Sequence, residues 1–120
     1  YNPRGAAEGL AHACLHHEPS DKEVKLIADE ISKCPPYVRI EIMRDHTNLD
    51  WRDFIPHIKL PTLVCVARHS AVFPNQGSAW VGEHIKGAKI EYFENSGHML
   101  FWEEPDKFNK VVSDFMLGIK

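Results

Sequence analysis

Three absences narrow the reading of this chain before any motif is considered. No strongly basic run stands out: 14 Lys and Arg face 17 Asp and Glu, for a formal charge of -3. The electrostatic footprint of a nucleic-acid binder is therefore missing. The longest apolar run, LVCVA from Leu63 to Ala67, falls far short of the roughly 20 residues that cross a bilayer, and YNPRGAAEG lacks the basic-then-apolar order of an export signal. Paired cysteines are missing too. Cys14, Cys34 and Cys65 are odd in number and form no CxxC, which speaks against a disulfide framework and against a cysteine-rich zinc site. Reduced thiols in a cytoplasmic protein are the simpler reading, with neither nucleic acid nor membrane as a partner. There is no initiating methionine, and the chain opens on a small-residue stretch. At 120 residues it is expected to be one compact unit or a piece of a longer protein.

What is present falls into two parts. In GAAEGLAHACLHH, Gly5 to His17, the residues Ala6, Leu10, Ala13 and His17 recur at helical spacing, though two glycines weaken the pattern. After Pro19, Ser20-Asp-Lys-Glu23 matches a capping box, and Val24, Ile27, Ile31 and Cys34 carry a helical stripe as far as Pro35-Pro36. YVRIEIM alternates like a strand, yet the proline pair ahead of it suits a helix start, and helix is the reading adopted. A polar connection around Thr47 to Asp53 follows. LPTLVCVA then reads as a strand covered on both faces in a parallel sheet. NQGSAWVGEHI reads as a helix ended by Gly87, with Trp80 in the core. AKIEYFE reads as a strand in which Lys89, Glu91 and Phe93 share the alternate face to Ala88, Ile90 and Tyr92, one face being less buried. From Pro105 a last helix carries Phe108, Val111, Val112, Phe115, Met116 and Ile119 on one stripe. Strand, helix, strand, helix implies two parallel strands joined by a right-handed crossover, with function at the loops past the strand ends.

Those loops are RHSAVFP and NSGHML. In the second, His98 follows Gly97, where the backbone can turn sharply and hold the ring above the sheet edge. Its ordinary pKa near neutrality suits a general base. A histidine that caps the loop or packs beside Trp102 weighs the same from position alone. The segments LPTLVCVARHSAVFP, NQGSAWVGEHI and GAKIEYFENSGHMLFWEEPDKFNKVVSDFM, with the tail SGHxxxxEEPxxFN, resemble the C-terminal portion of the α/β-hydrolase fold family over about Asp50 to Met116. The resemblance implies that His98 is the catalytic histidine and that residues 1–48 form the family's helical cap or lid. Residues 49–120 would then supply the last two strands and helices of the core. It also implies a nucleophile on a G-x-S-x-G elbow. Neither Ser78, Ser96 nor Ser113 has the flanking glycines, so the nucleophile and part of the oxyanion hole are expected from residues ahead of Tyr1.

The departure from the family pattern is at its acid. Where the resemblance puts a carboxylate four residues before Pro74 stands Ser70. A hydroxyl can fix the tautomer of His98 but cannot offset the charge of an imidazolium. An acid supplied by an earlier strand end ranks first, ahead of a weakened dyad or a hydrolase-like protein without turnover. The expected function is hydrolysis of a small ester-like substrate; the alternative is a non-catalytic ligand-binding or signalling protein. Met99, Leu100 and Phe73 are candidates to line the substrate pocket, with Phe101 nearby. The partner expected is the N-terminal half of the same fold or a second copy of the chain. No cofactor is expected, and no metal: His12, His16 and His17 have partial ligand spacing but no HExxH glutamate and no third ligand. Arg68 and His69 read as loop residues facing solvent, and Glu103 and Glu104 as acids favouring the N-terminus of the last helix.

Overall fold

The computed structural model describes residues 2–119. Its first layer is a pair of packed helices, α1 (Pro3–Cys14) and α2 (Asp21–Ser32). Asn2 caps α1 by accepting the Gly5 N–H. The capping box of α2 forms as read: Ser20 Oγ accepts the Glu23 N–H and Glu23 Oε2 accepts the Ser20 N–H, so each satisfies a backbone donor the helix start would leave orphaned. Ala7, Ala11 and Cys14 are the buried face of α1, one position on from the expected stripe. These small side chains let α1 lie close to Ala28 and Ile27 of α2, whereas Leu10 is left 41% exposed. Val24, Ile31 and Met99 close around the cluster of Ala11, Leu15 and Ile27.

α1 stops at Cys14, not at His17. Leu15 turns to extended backbone (φ -108, ψ 146), and the next two N–H groups bond to Glu103 instead of continuing the helix. The segment YVRIEIM is helical, within α3 (Pro36–Asn48), which starts on a proline and buries none of its residues. A 3-10 turn, Ile55–His57, follows.

β1 (Leu63–Ala67) and β2 (Lys89–Phe93) pair in parallel, Leu63 opposite Lys89 and Ala67 opposite Phe93. The crossover helix α4 (Asn75–His84) packs on the Val64 and Ile90 side through Gly82, where a Cβ would lie 2.5 Å from Ile90 Cγ1. Gly87 makes the return turn in the left-handed region at φ 81, which glycine enters without steric cost. The strand face of Lys89, Glu91 and Phe93 is covered by α6 (Pro105–Gly118): Lys107 pairs with Glu91 at 3.0 Å and stands over the Phe93 ring, and Phe93 packs on Phe108. Phe93 is completely buried. Trp80, expected in the core, is half-buried and stacks on His84. The short helix α5 (Leu100–Glu103) joins the His98 loop to α6. No helix is long and apolar enough to cross a membrane among the described residues.

Candidate active site

Parallel pairing brings the two strand-end loops together. Arg68 N–H donates to the Phe93 carbonyl at 3.1 Å and His69 N–H to the Ser96 carbonyl at 3.0 Å, so the Ser70 turn and the His98 turn run side by side at the carboxyl edge of the sheet. Arg68 lies over the Tyr92 ring and pairs with Glu94, which fixes the expected loop charge against β2.

His98 is exposed and tilts against Phe73, with ring centroids 5.5 Å apart. It borders two hollows. The smaller, about 150 Å³, is walled by Cys65, Ala67, Ser70, Phe73, Ser78 and Leu100 together with His98. The larger, about 610 Å³, lies under α1 and α2 and is lined by Leu10, Cys14, Leu26, Ile27, Glu30, Ile31, Met99, Phe101 and Trp102 along with the same imidazole. Thus Phe73 and Leu100 stand on one side of His98 and Met99 on the other. A hollow of about 700 Å³ between the end of α3 and α4 has Trp51 and Trp80 in its wall but no histidine or cysteine.

Ser70 shares the smaller hollow with His98, but its hydroxyl accepts the Phe73 N–H at 3.2 Å and so anchors its own turn. Among the described residues no carboxylate lies within hydrogen-bond reach of the His98 ring. Glu94, Glu103 and Glu104 are the nearest acids in sequence, and all three are engaged elsewhere, Glu94 with Arg68. Glu104 gives α6 no side-chain cap; one of its oxygens accepts the Asn95 N–H at 3.1 Å and the Ser96 hydroxyl at 2.5 Å. Glu103 accepts backbone N–H groups from the Gly97 and His16 turns. The macrodipole role expected for the pair gives way to direct capture of loop donors, because loop 95–97 and the exit of α1 leave N–H groups without partners of their own.

Gly97 serves a different purpose from the one its position suggests. Its φ is not positive, so a sharp turn does not require it. A Cβ there would meet His16 N at 2.8 Å, Cys14 O at 2.9 Å and Leu15 C at 2.9 Å; glycine is needed because two backbones touch. The Met99 N–H, donating to the Cys14 carbonyl at 3.0 Å, continues the same contact.

Sequence reasoning gave no signal for the histidine contacts. His16 stacks on His69 with centroids 3.8 Å apart, and His17 sits between Glu103 and Glu23 at 2.8 and 3.1 Å. His17 is raised above its ordinary value by the hydrogen bond to Glu103, with Glu23 adding to it and burial pulling the other way. The three histidines do not share a helix face, and no group of three potential ligands converges among the described residues. Burial pushes the Cys14 and Cys65 thiols up, away from the thiolate form that nucleophilic sulfur needs.

A two-stranded parallel sheet with its crossover helix, and a histidine at its carboxyl edge beside a hollow lined by α1 and α2, define an α/β protein. No protein-family model matches the chain. It is 39% identical over 59 residues to a proline iminopeptidase of Saccharolobus solfataricus, covering 49% of this chain and 19% of that protein. It is 26% identical over 97 residues to an N-formylmaleamate deformylase of Pseudomonas putida, covering 81% and 36%. An esterase from Exiguobacterium antarcticum superposes with a TM-score of 0.89 at 23% identity, over 96% of this chain and 43% of that one. The chain has the α/β-hydrolase fold and corresponds to the C-terminal part of that fold. It spans less than half the length of each of these relatives.

Proposed function

We propose that this chain supplies the cap and the catalytic histidine of an α/β hydrolase acting on a small, largely apolar ester-like substrate. His98 is the general base, a nucleophile comes from residues outside this sequence, and the triad acid is not Ser70. One observation carries the reading: an exposed imidazole at the carboxyl edge of the sheet opens onto an apolar hollow roofed by α1 and α2. A histidine so placed can take a proton from a nucleophile and return it to a leaving group, while Leu10, Leu26, Ile31 and Phe101 offer the acyl or alcohol chain a dry surface. Residues 1–48 act as the cap, and a cytoplasmic setting fits three free thiols.

The core needs a further partner, the N-terminal half of the fold or a second copy. The accessible surface is 8443 Å², against about 6,600 Å² for a compact chain of this mass. The radius of gyration is 16.1 Å, against about 14 Å for a compact domain of this length. Tyr37, Leu60, Met116 and Leu117 are among the large apolar side chains left exposed.

The experiment is hydrolysis of aryl esters of graded acyl length by the longer chain, by its His98→Ala variant and by the 120 residues alone. Turnover by the first only, preferring apolar acyl groups, is expected. Turnover by the short chain, or an undiminished variant, sinks the reading. A second reading, a ligand-binding protein without turnover, is favoured by one specific observation, the Ser70 hydroxyl committed to its own turn with no carboxylate against His98. It predicts ester analogues that bind to the longer chain but are not cleaved.

A further inference from the structure

We propose that Glu103 is a positioning residue for His98: its buried carboxylate ties the turn that carries the imidazole to the chain leaving α1, so that cap and base are held as one body. The inference rests on the reading of His98 as base and adds what holds that base in place.

The geometry is that of a staple. The Glu103 side chain is 3% exposed. Its Oε1 accepts the N–H groups of His16 at 2.7 Å and His17 at 3.0 Å, and lies 2.8 Å from Nδ1 of His17. Its Oε2 accepts the Gly97 N–H at 2.6 Å. A carboxylate removed from water needs such donors, and once it has them it is costly to disturb. On the other side of His98, the Met99 N–H donates to the Cys14 carbonyl. Both residues flanking the imidazole are therefore anchored to the same four-residue exit of α1, Cys14 to His17, while the His98 ring has no hydrogen-bond partner among the described residues. Its backbone sets where it points.

The far end of the staple is fixed as well. Nε2 of His17 lies 3.1 Å from Glu23 Oε1, which also accepts the Trp102 indole N–H at 3.1 Å; Glu23 belongs to the capping box of α2. The chain of contacts thus runs from the first turn of α2 through His17 and Glu103 to Gly97. Gly97 admits no Cβ against this exit, so the two segments meet at one spacing only. Small displacements of a catalytic group are expensive in rate, which gives such rigidity a use.

The test employs the longer chain that carries the nucleophile. Glu103→Gln keeps the shape but turns an NH2 towards either the Gly97 N–H or those of His16 and His17. Turnover of an aryl ester should fall by about tenfold to a hundredfold in kcat, with KM moved by less than about threefold. Amide exchange at Gly97 should speed up at least about tenfold. His17→Gln, which leaves the Gly97 bond to Glu103 in place but removes the imidazole link to Glu23, should lower kcat by less than Glu103→Gln does. A folded Glu103→Gln protein with the parent kcat overturns the proposal, and so does one that cannot fold, since Glu103 would then be scaffold. The parent protein gives a check that needs no variant: a Gly97 amide exchanging as fast as a free loop overturns the staple. His98→Ala is run alongside. If it keeps turnover, the functional reading fails and the kinetic arm with it, while the Gly97 exchange still decides whether the carboxylate holds the turn.

Discussion

Replacing Gly97 by alanine isolates the contact between the end of α1 and the histidine loop. Two effects oppose each other. Alanine narrows the unfolded ensemble and, at a φ that is not positive, would stabilise by about 0.4–1 kcal/mol if there were room. There is none, because the new Cβ stands at 2.8–2.9 Å from three backbone atoms of Cys14, Leu15 and His16, where ordinary contact begins near 3.4 Å. Backbone cannot rotate aside as a side-chain tip can, so the exit of α1 must move by about half an ångström or more. Overpacking of this kind costs about 1–3 kcal/mol. The shift also lengthens the Met99 N–H to Cys14 bond, 3.0 Å in the parent, worth about 0.5–1.5 kcal/mol. The expected net loss is about 1–4 kcal/mol, read as a lower urea midpoint at unchanged slope in the longer chain. Two further glycines act as controls. Gly9→Ala, mid-helix with nothing within 4 Å, should gain about 0.5–1 kcal/mol. Gly87→Ala, equally roomy but at φ 81, should lose about 1–2 kcal/mol from the backbone alone. A Gly97→Ala protein as stable as the parent would refute the close-contact argument.

Ser20→Ala removes the acceptor for the Glu23 N–H and should cost about 1 kcal/mol by urea denaturation; no change would mean that the capping box is not holding α2. Stability should also depend on pH through the staple. His17 lies above its ordinary 6.5, so its contribution is complete below pH 6.5 and fades as the pH rises through the raised value. Glu103 runs the opposite way. Burial pushes it up, but the N–H groups of His17, Gly97 and His16 and the His17 ring outweigh burial and hold it below 4.5. Its contribution is present above pH 4.5 and is lost as the pH falls through the depressed value. The urea midpoint attributable to this pair should peak between those limits, and His17→Gln should flatten the alkaline slope. An equally steep slope in that variant rules His17 out as its source.

Legibility in the sequence followed the range of the interaction. The capping box of α2 and the β-branched run of β1 are local, and both stand where the residues put them. The strand-helix-strand order likewise gave the parallel pair and the loops that flank it. The buried stripe of α1 was read one residue out, because alanines rather than the larger Leu10 face α2, and spacing alone does not tell a face that packs from a face that lines a hollow. Alternation in β2 marked one face as less buried without telling which; that α6 packs Phe108 and Lys107 on the side of Glu91 and Phe93 is carried by the last helix and not by the strand. His17 and Glu103 are 86 residues apart; no periodicity links them, and their contact is what ends α1. The meaning of Gly97 changed for the same reason, since its neighbour is a backbone distant in sequence.

The account turns on His98 activating a nucleophile that these 120 residues do not contain. The most direct measurement is the rate at which an aryl phosphonate labels the longer chain, with the labelled residue found by mass spectrometry in parent and His98→Ala proteins. Labelling of one residue outside this sequence, slowed about 10²- to 10⁴-fold in a folded His98→Ala protein, is the predicted result. Equal labelling rates in the two proteins, or a label on a serine within these 120 residues, would contradict it.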